Sequence, residues 1–243
     1  MQNPCVNLPI DIGFDFRHDT PAGRDPDIFS PTLRAYHKLL WSKKLPNGAC
    51  FSLDASKKNI YLHHQSELGE FSLSSDSATH TFSRWKSMRP IIEMVDPDEI
   101  EKFRTLGYTI GGMIIFPSTR VCKKPTINGA RAFHPLIKDR IDLTLECIRR
   151  HYSSEPSPLS DAIARYRNFF SLFESFKGYV EFFLLQDLVN PDFDSIDFLM
   201  DFENFSGPVT PNSLNSYLNY KARTIHFIKS RSQRMIQHLQ SPL

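Results

Sequence analysis

A continuous apolar run over residues 108–116 constrains the fold of this chain more than any other segment. It reads Tyr-Thr-Ile-Gly-Gly-Met-Ile-Ile-Phe and is followed by Pro117. Successive side chains of a strand point to opposite faces, so a run that is apolar on both faces apart from its glycines predicts a central, doubly covered strand. Proline has no N–H for the ladder, so Pro117 ends the strand. The chain must therefore contain a sheet and a layer that covers it.

Three shorter strand candidates precede this run, at residues 50–53, 59–63 and 70–74. They are separated by Lys57-Lys58 and by Glu67-Leu68-Gly69. Short β-type runs at such close intervals predict a meander.

Two helices are predicted in the same half by their starting residues. Ser30 followed by Pro31 suits an N-cap and a first helical position, and the apolar residues after them share one helix face. Pro46-Asn47-Gly48 is predicted to end this helix. Asp96-Pro97 starts a second, shorter helix that Gly107 terminates, after an apolar run at residues 91–95.

Beyond Pro135 the apolar period changes to that of helices. Ile141, Leu145, Ile148 and Tyr152 form one stripe. Further helices are predicted over residues 159–176, 178–189, 196–202 and 214–240. We therefore predict an α+β protein with a mixed β-sheet over residues 1–134 and an all-helical bundle over residues 135–243. Because no linker separates the halves, one cooperative unit is expected.

Composition supports a globular chain. Of 243 residues, 40% are hydrophobic and 20 are Phe, enough for a core without cross-links. Four widely spaced cysteines without a CxxC pair predict free, mostly buried thiols and neither a zinc site nor disulfides. The first residues lack a signal-peptide pattern, and no apolar window approaches the length of a membrane span. A cytoplasmic protein without membrane contact is expected.

The charge is divided unevenly although the formal net charge is only +2. Residues 178–220 contain no Lys or Arg, whereas the chain after Glu203 is basic. Two interpretations remain open: the acidic and basic stretches pack against each other, or the basic helix binds phosphates of a nucleic acid. The candidate nucleic-acid-binding residues are Arg140, Lys221, Arg223, Arg231 and Arg234.

Standard signatures are absent, so several function classes lose support. The chain contains no GxGxxG, GxxxxGK[ST], HExxH or GxSxG motif. Four histidines lie between His63 and His134, but their spacings fit no established ligand pattern, and no metal site is predicted.

The helix after Ser30 carries the first candidate site. Arg34 and His37 lie near Tyr36 and Trp41, and cations beside aromatic rings suit a phosphate together with a stacked base or nicotinamide. The alternative is a basic surface helix whose Tyr36 and Trp41 pack into the core.

Two more groups of polar residues are candidates. Tyr61, Ser74 and Asp76 lie at predicted strand ends, where they suit hydrogen bonds to a ribose or an amide. Glu146 follows Arg131 on the next predicted helix, and a carboxylate there suits general base work or the stabilisation of a cationic transition state. The alternative is a Glu146–Arg150 pair four residues apart on a solvated helix.

The last predicted helix contains Arg231 and, later, His238. This spacing resembles the Rx4-6H motif of HEPN-type ribonucleases, in which the pair acts on the scissile phosphate. A basic, partly solvated helix is the alternative.

Residues 19–27, 30–48 and 142–152 together carry a resemblance that extends over nearly the whole chain. In these segments the chain resembles a family of uncharacterised bacterial proteins, known as a domain of unknown function. The resemblance implies that the chain has relatives, but it does not imply any particular reaction.

In size and layout the chain is also similar to toxins of bacterial phage-defence systems, including ADP-ribosyltransferases that modify RNA. That similarity implies NAD as substrate, an RNA or protein target and an antitoxin or inhibitor protein as partner. It implies catalytic roles for Glu146, His37 and Arg131. The implied NAD contacts are Arg34, Tyr36, Trp41, Tyr61, Ser74 and Asp76.

Transfer of ADP-ribose from NAD is therefore the leading hypothesis. A metal-independent ribonuclease that uses Arg231 and His238 is the second. A non-catalytic module whose basic helix binds nucleic acid or an acidic protein is the third, and it predicts binding that weakens strongly as salt rises.

Overall fold

The computed structural model describes residues 10–56 and 60–240, and within them the chain has the predicted α+β class. The strands are β1 (Lys43–Lys44), β2 (Cys50–Phe51), β3 (Leu62–Ser66), β4 (Gly69–Ser77) and β5 (Met113–Pro117). The α-helices are α1 (Pro26–Phe29), α2 (Pro31–Trp41), α3 (Arg89–Ile92), α4 (Pro97–Leu106), α5 (Ile127–Phe133), α6 (Ile141–Tyr152), α7 (Ser160–Ala164), α8 (Arg167–Phe170), α9 (Phe176–Phe182) and α10 (Leu214–Gln240).

β4 is the central strand of a three-stranded sheet with the order β3-β4-β5. Both pairs are antiparallel, and β1 and β2 form a separate antiparallel pair. The predicted meander is wrong in its first strand, because β2 pairs with β1, and only β3 and β4 lie side by side as predicted. The sheet predicted as mixed is antiparallel. Only two residues connect β3 to β4, and so short a turn can join only antiparallel strands. The start of the strand candidate at residues 59–63 lies outside the described residues.

The apolar run at residues 108–116 begins its strand later than predicted, and the prediction of a central strand is wrong because β5 lies at the edge of the sheet. Ile110–Gly112 is a 3₁₀ turn, and β5 starts at Met113. The predicted strand over residues 108–112 is therefore wrong. A Cβ on Gly111 would lie 2.1 Å from Ser232 Oγ and 2.6 Å from the backbone oxygen of Ile228. Gly111 thus brings this turn directly against α10, whereas Gly112 lies against the end of α4, where a Cβ would be 2.5 Å from the Leu106 backbone oxygen.

The two N-terminal helix starts are confirmed with their caps. Ser30 Oγ accepts a hydrogen bond from the Leu33 N–H at 3.0 Å, and Pro31 is the first residue of α2. Asp96 caps α4 in the same way through the Asp98 N–H at 2.8 Å. These local signals predicted the helix starts because the bonds they describe span only two or three residues.

The helical half is more broken than predicted. α6 and α10 are confirmed, but residues 159–176 divide into α7, α8 and a 3₁₀ turn that ends at Glu174, where φ is +61°. Residues 196–202 contain no helix. The aromatic side chains here pack on one another, as in the Phe169–Phe173 and Phe173–Phe183 pairs with centroids 5.3 and 5.2 Å apart. Tertiary packing of this kind overrides helix propensity.

One hydrophobic core contains residues from both halves of the chain. Trp41 of α2 lies 5.4 Å from Phe183, and Phe51 of β2 lies 5.8 Å from Phe182, centroid to centroid. Phe71 of β4 contacts Phe169 of α8 at 5.7 Å. The sheet is therefore covered by the C-terminal helices. Cooperative unfolding of the regions 1–134 and 135–243 stays a prediction.

The described cysteines are free: Cys147 is buried, but Cys50 and Cys122 are exposed, so the prediction of mostly buried thiols is wrong for these two. Cys5 lies outside the described residues. Among residues 10–56 and 60–240, no helix is both long and apolar enough to cross a membrane. The same residues contain no group of three or more His, Cys, Asp or Glu side chains arranged to hold a metal ion.

Candidate functional site

A cavity of about 680 Å³ opens at the C-terminal end of the central strand β4. Five parts of the chain meet there: the start of α1, the residue before β3, the last residues of β4, residues 108 and 113 at and before the start of β5, and the stretch from the end of β5 into α5. The polar wall is formed by Asp25, Asp27, Tyr61, Ser74, Ser75, Asp76, Ser77, Ser118, Arg120, Lys123, Thr126 and Asn128.

Asp25 and Asp27 reach the cavity because of how α1 begins. Asp25 is the N-cap and accepts the Asp27 N–H at 3.0 Å, and Pro26 holds the first helical position. The Tyr61 hydroxyl donates to Asp25 Oδ2 at 3.2 Å, which fixes the Tyr61 ring at the cavity wall. The Asp-Pro-Asp sequence therefore sets both carboxyl groups at one end of a short helix.

Asp27 is a buried carboxyl group that lines the cavity. It faces β4, where the Ser75 N–H lies 2.7 Å from Oδ2 and the Ser75 hydroxyl 2.5 Å from Oδ1. Burial raises the pKa of Asp27 to about 8, against the lowering effect of the Ser75 hydrogen bond, and the charges of Asp25 and Asp76 add to the increase. Asp27 is therefore mainly protonated at neutral pH.

His37 and Arg34 of α2 lie behind Asp27 and do not line the cavity. Arg34 donates to the carbonyl oxygens of Asp27 at 2.9 Å and Ile60 at 2.7 Å. Trp41 donates its ring N–H to His37 Nδ1 at 3.0 Å, so the proton of the neutral ring is on Nε2, 4.0 Å from Asp27 Oδ1. Burial and two nearby arginines lower the pKa of His37 to about 3. His37 and Asp27 are therefore no ion pair.

Asp76 is the third carboxyl group of the cavity, after Asp25 and Asp27, and is fixed by Arg131. Arg131 Nη1 lies 2.9 Å from Asp76 Oδ2 and 3.0 Å from Asp139 Oδ1, and its Nε donates to Thr144 at 3.0 Å. Burial raises the pKa of Asp76 to about 6 against the lowering effect of Arg131, and the Asp139 charge adds to the increase. The side chain remains 31% exposed. Asp76 is therefore mainly ionised at neutral pH.

The cavity thus brings together one mainly protonated and one mainly ionised carboxyl group. Ser75 contacts Asp27 directly and precedes Asp76 in β4. Two consecutive residues of one strand therefore fix the positions of both carboxyl groups. Two carboxyl groups whose environments separate their pKa values are the usual basis of acid and base roles in one site.

The loop side of the cavity offers cations and unused hydrogen-bonding atoms. Arg120 and Lys123 are exposed, and within the described residues neither has a hydrogen-bond or ion-pair partner. Asn128 donates to Ser74 Oγ at 3.3 Å, but its buried Oδ1 has no partner, nor has the buried Ser118 Oγ. An anionic group would satisfy the two cations, and a hydroxyl or amide group of a ligand could donate to Asn128 Oδ1.

The structure brings three of the predicted NAD contacts together, because Tyr61, Ser74 and Asp76 all line this cavity. Arg34, His37 and Arg131 lie one layer behind it, beside Asp27 or Asp76. Tyr36 and Trp41 lie in the core, where the Tyr36 hydroxyl accepts the Asp11 N–H at 2.8 Å. The core packing of these two rings matches the alternative interpretation of α2.

Glu146 does not line the cavity. It is buried on α6 and pairs with Arg149 at 2.8 Å and with Arg150 at 2.7 Å. The Arg150 pair is the predicted alternative, although the carboxylate is buried instead of solvated. Two guanidinium groups occupy both Glu146 oxygens, so the structure provides no open substrate position beside this carboxylate.

The candidate nucleic-acid-binding residues are not gathered on one open surface in the described part of the chain. Arg140 is buried in an ion pair with Asp142, and Arg231 is buried with its guanidinium bonded to the carbonyl oxygens of Gly111, Met113 and Phe183. Each surface residue of the set also has a partner: Lys221 has Glu99, Arg223 has the Phe198 carbonyl, and Arg234 has Asp187.

The two residues of the predicted ribonuclease pair differ in exposure, because Arg231 is fully buried and His238 is half-buried. Arg231 lies in the core with its guanidinium 5.6 Å from the Trp41 ring centroid, whereas His238 Nε2 lies 3.5 Å from Lys43 Nζ. Neither residue lines the 680 Å³ cavity. The Arg234–Asp187 pair agrees with the interpretation in which the basic and acidic stretches pack together.

Sequence reasoning missed Asp25, Asp27, Arg120, Lys123 and Asn128 as site residues. The Asp25-Pro26 step is a helix-start signal that could have placed Asp27 in a first turn. Nothing local could have shown that this turn meets Ser75, which is 48 residues away along the chain.

A family model described as a family of unknown function (DUF6994) matches residues 10–235. Neither a curated protein nor a solved structure matches the chain.

Proposed function

The chain belongs to the DUF6994 family of unknown function, and from its cavity we propose that it breaks the N-glycosidic bond of NAD and transfers ADP-ribose to a nucleophile. The observation that carries the proposal is the Asp76 carboxylate on the wall of a cavity in which, among the described residues, the cations Arg120 and Lys123 have no partner. The cavity volume of about 680 Å³ is in the range of small-molecule and cofactor sites.

The side chains of the cavity suit the parts of a dinucleotide. Tyr61, Ser74 and Asn128 would hydrogen-bond a ribose or the carboxamide. Among the residues that the structure describes, Arg120 and Lys123 have no partner at the cavity wall, so they would bind the pyrophosphate.

Asp76 would act on the reacting carbon. As the bond between C1′ of the ribose and the nicotinamide nitrogen breaks, nicotinamide leaves as a neutral molecule with the bonding electron pair, and positive charge develops on the ribose. An ionised carboxylate nearby stabilises that charge. The oxygen of the acceptor hydroxyl, or of water, then bonds to C1′ while its proton passes to Asp76. Asp76 takes the role that the resemblance assigned to Glu146.

Asp27 would have a positioning role in this reaction, because neutral nicotinamide needs no proton to leave. The Ser75 hydroxyl lines the cavity and donates to Oδ1 of Asp27. Asp27 would therefore orient Ser75 beside the substrate.

A second candidate function follows from the raised pKa of Asp27. A carboxylic acid with a pKa of about 8 can protonate a leaving base at neutral pH. Hydrolysis of a nucleoside or nucleotide whose base is uncharged needs such a proton, because that base leaves poorly as an anion. In that reaction Asp27 is the general acid and Asp76 activates water.

Nicotinamide release from labelled NAD tests the proposal, with a mixture of cellular RNA, DNA and protein present as acceptors. The Asp76→Asn variant keeps the shape of the side chain and removes its charge, so we expect release to fall by about 100-fold or more. Asp192→Asn, an exposed carboxylate far along the chain from the cavity residues, is the matched control and should keep full activity. Equal release from both variants would remove Asp76 from the mechanism.

Asp27→Asn separates the two candidate reactions. Asparagine keeps the size of the side chain and an oxygen that can accept from Ser75, but it has no transferable proton. NAD cleavage should therefore change by no more than a few fold, whereas hydrolysis of a neutral nucleoside should be lost.

The predicted biological role is that of a toxin or defence enzyme with RNA as favoured target and a protein as alternative. Expression in bacteria without its inhibitor protein should then arrest growth, and the Asp76→Asn variant should not. Cleaved RNA without NAD consumption would favour the ribonuclease hypothesis. Salt-sensitive binding without a covalent product would favour the binding module.

A further inference from the structure

A second cavity, of about 300 Å³, adjoins the first one. The two cavities share Asp76, Ser77 and Tyr108 as wall residues. Asp76 therefore borders both spaces, and a group bound in the smaller cavity lies next to the carboxylate that is proposed to act on the ribose.

Two arginines, Arg84 and Arg104, line the smaller cavity. Arg84 is exposed, and within the described residues its guanidinium has no hydrogen-bond or ion-pair partner. Arg104 also lines the cavity, where it pairs with the exposed Glu101 and donates to Ser83 Oγ at 3.3 Å. Lys138 lies nearby, with Nζ 4.7 Å from the centroid of the Trp85 ring.

His80 adds a neutral donor to the same cavity. Its Nδ1 accepts the Phe82 N–H at 3.1 Å, so the proton of the neutral ring is on Nε2. Burial lowers the pKa of His80, which keeps the ring neutral at pH 7. The Nε2–H has no hydrogen-bond acceptor within the described part of the chain.

The acidic residues of this cavity share a cation. Asp76 and Asp139 both pair with the buried Arg131. The charge of these carboxylates is thus partly compensated, whereas the exposed Arg84 guanidinium has no carboxylate partner among the described residues.

We propose that the smaller cavity is a phosphate-binding subsite in which Arg84 is the principal ligand and Arg104, Ser83 and His80 supply further donors. A phosphate oxygen would satisfy the open guanidinium and the ring N–H, which are the kinds of donor that bind phosphate most strongly. The volume suits a phosphate with part of its sugar and is small for a whole dinucleotide. The placement of this phosphate beside a reacting ribose rests on the proposed function.

Calorimetric titration with inorganic phosphate tests the subsite without any assumption about activity. Trp85 lines this cavity, while the only other tryptophan, Trp41, is fully buried, so a change of tryptophan fluorescence gives a second readout. We expect Arg84→Ala to weaken phosphate binding by about tenfold or more, because a charge-assisted bond is lost. Lys86→Ala removes an exposed neighbouring cation that does not line the cavity and should leave the affinity unchanged.

Equal weakening in the two variants would mean that phosphate senses only the surface charge, and the proposal would be overturned. Absence of phosphate binding to the unmodified chain would overturn it as well. Both results are independent of NAD cleavage, so a chain that binds phosphate but leaves NAD intact would refute the proposed function and support the subsite.

Two titrations then identify the source of the phosphate. If Arg84→Ala weakens the binding of ADP-ribose, the subsite holds a phosphate of the donor. If it weakens only the binding of a short 5′-phosphorylated oligoribonucleotide, the subsite holds a phosphate of the acceptor. In the second case transfer to that acceptor should fall while hydrolysis of NAD by water is unchanged.

Discussion

Arg131 and Asp76 form an ion pair with an Nη1–Oδ2 distance of 2.9 Å, in which the cation is completely buried and the carboxylate borders both cavities. The same guanidinium contacts Asp139 and Thr144 and lies 5.6 Å from the Phe116 ring centroid. Arg131 is therefore a positioning residue. It fixes the orientation of Asp76 from the side that no substrate can reach.

Replacement of Arg131 by Met should destabilise the fold strongly. The change leaves Asp76 and Asp139 close together without their cation, and the loss of one partner from a buried ion pair costs about 3 to 5 kcal/mol. Urea unfolding followed by circular dichroism measures the effect. Arg167→Met, at an exposed site without a partner among the described residues, should change the free energy of unfolding by less than about 0.5 kcal/mol. A loss below about 1 kcal/mol for Arg131→Met would contradict this account.

The raised pKa of Asp27 should be visible in the pH dependence of stability. Between the ordinary carboxyl pKa of 3.8 and the folded value of about 8, the folded state keeps a proton that the unfolded chain releases. The Asp27 contribution is therefore complete below pH 3.8, decreases as pH rises and is lost above pH 8.

Asp27→Asn should remove this dependence. Relative to the unmodified chain, the variant should gain stability from pH 5 to pH 8, by up to about 1.4 kcal/mol per pH unit. Urea unfolding of both proteins across this range checks the difference, and the effects of other titrating groups cancel in the comparison. Parallel pH profiles would show that Asp27 ionises normally in the folded state.

Gly111 should tolerate no side chain. A Cβ there would lie 2.1 Å from Ser232 Oγ and 2.6 Å from the Ile228 carbonyl oxygen, and the backbone of α10 cannot rotate away as a side chain can. We expect Gly111→Ala to lower the free energy of unfolding by about 1 to 3 kcal/mol or more. Gly13→Ala, where the nearest atom would be at 3.4 Å, is the matched control and should be close to neutral. Similar thermal unfolding midpoints for the two variants would disprove the close approach.

Arg231 should contribute to folding and not to nucleic-acid binding. Its guanidinium satisfies the carbonyl oxygens of Gly111, Met113 and Phe183 inside the protein. Arg231→Ala leaves these oxygens without a hydrogen-bond donor and creates a cavity. We therefore expect the free energy of unfolding to fall by about 3 to 5 kcal/mol. Arg223→Ala, on the exposed side of α10, should cost less than about 1 kcal/mol. If the folded Arg231→Ala protein lost RNA affinity at unchanged stability, the residue would have to reach the surface.

Local signals in the sequence were sufficient for the helix starts and for the longest helices. Ser30-Pro31 and Asp96-Pro97 each predicted a cap that the structure contains, because capping involves only neighbouring residues. The stripe of α6 and the extent of α10 were predicted for the same reason, since an apolar face repeats within a few turns. The prediction of one helix in the aromatic stretch after Leu159 was wrong, because the packing of the rings, and not the apolar periodicity, decides where the short helices end.

The candidate site was predicted in part. Tyr61, Ser74 and Asp76 were chosen as polar residues at strand ends, and the end of a central strand is where they meet. Asp27 was missed because its character comes from burial against Ser75, a contact between segments far apart in the chain. Glu146 and Arg231 were chosen for their charge. Inside the fold, however, Glu146 is ion-paired with two arginines of its own helix, and Arg231 donates to backbone carbonyl oxygens.

The sequence by itself therefore determined the α+β class, the positions of the capped helices and the polar end of β4, since each depends on interactions among near neighbours. Only the tertiary structure decided which charged residues are open to a ligand. Burial sets both the pKa of a carboxyl group and the availability of a cation, and burial depends on contacts that distant segments make when they fold together.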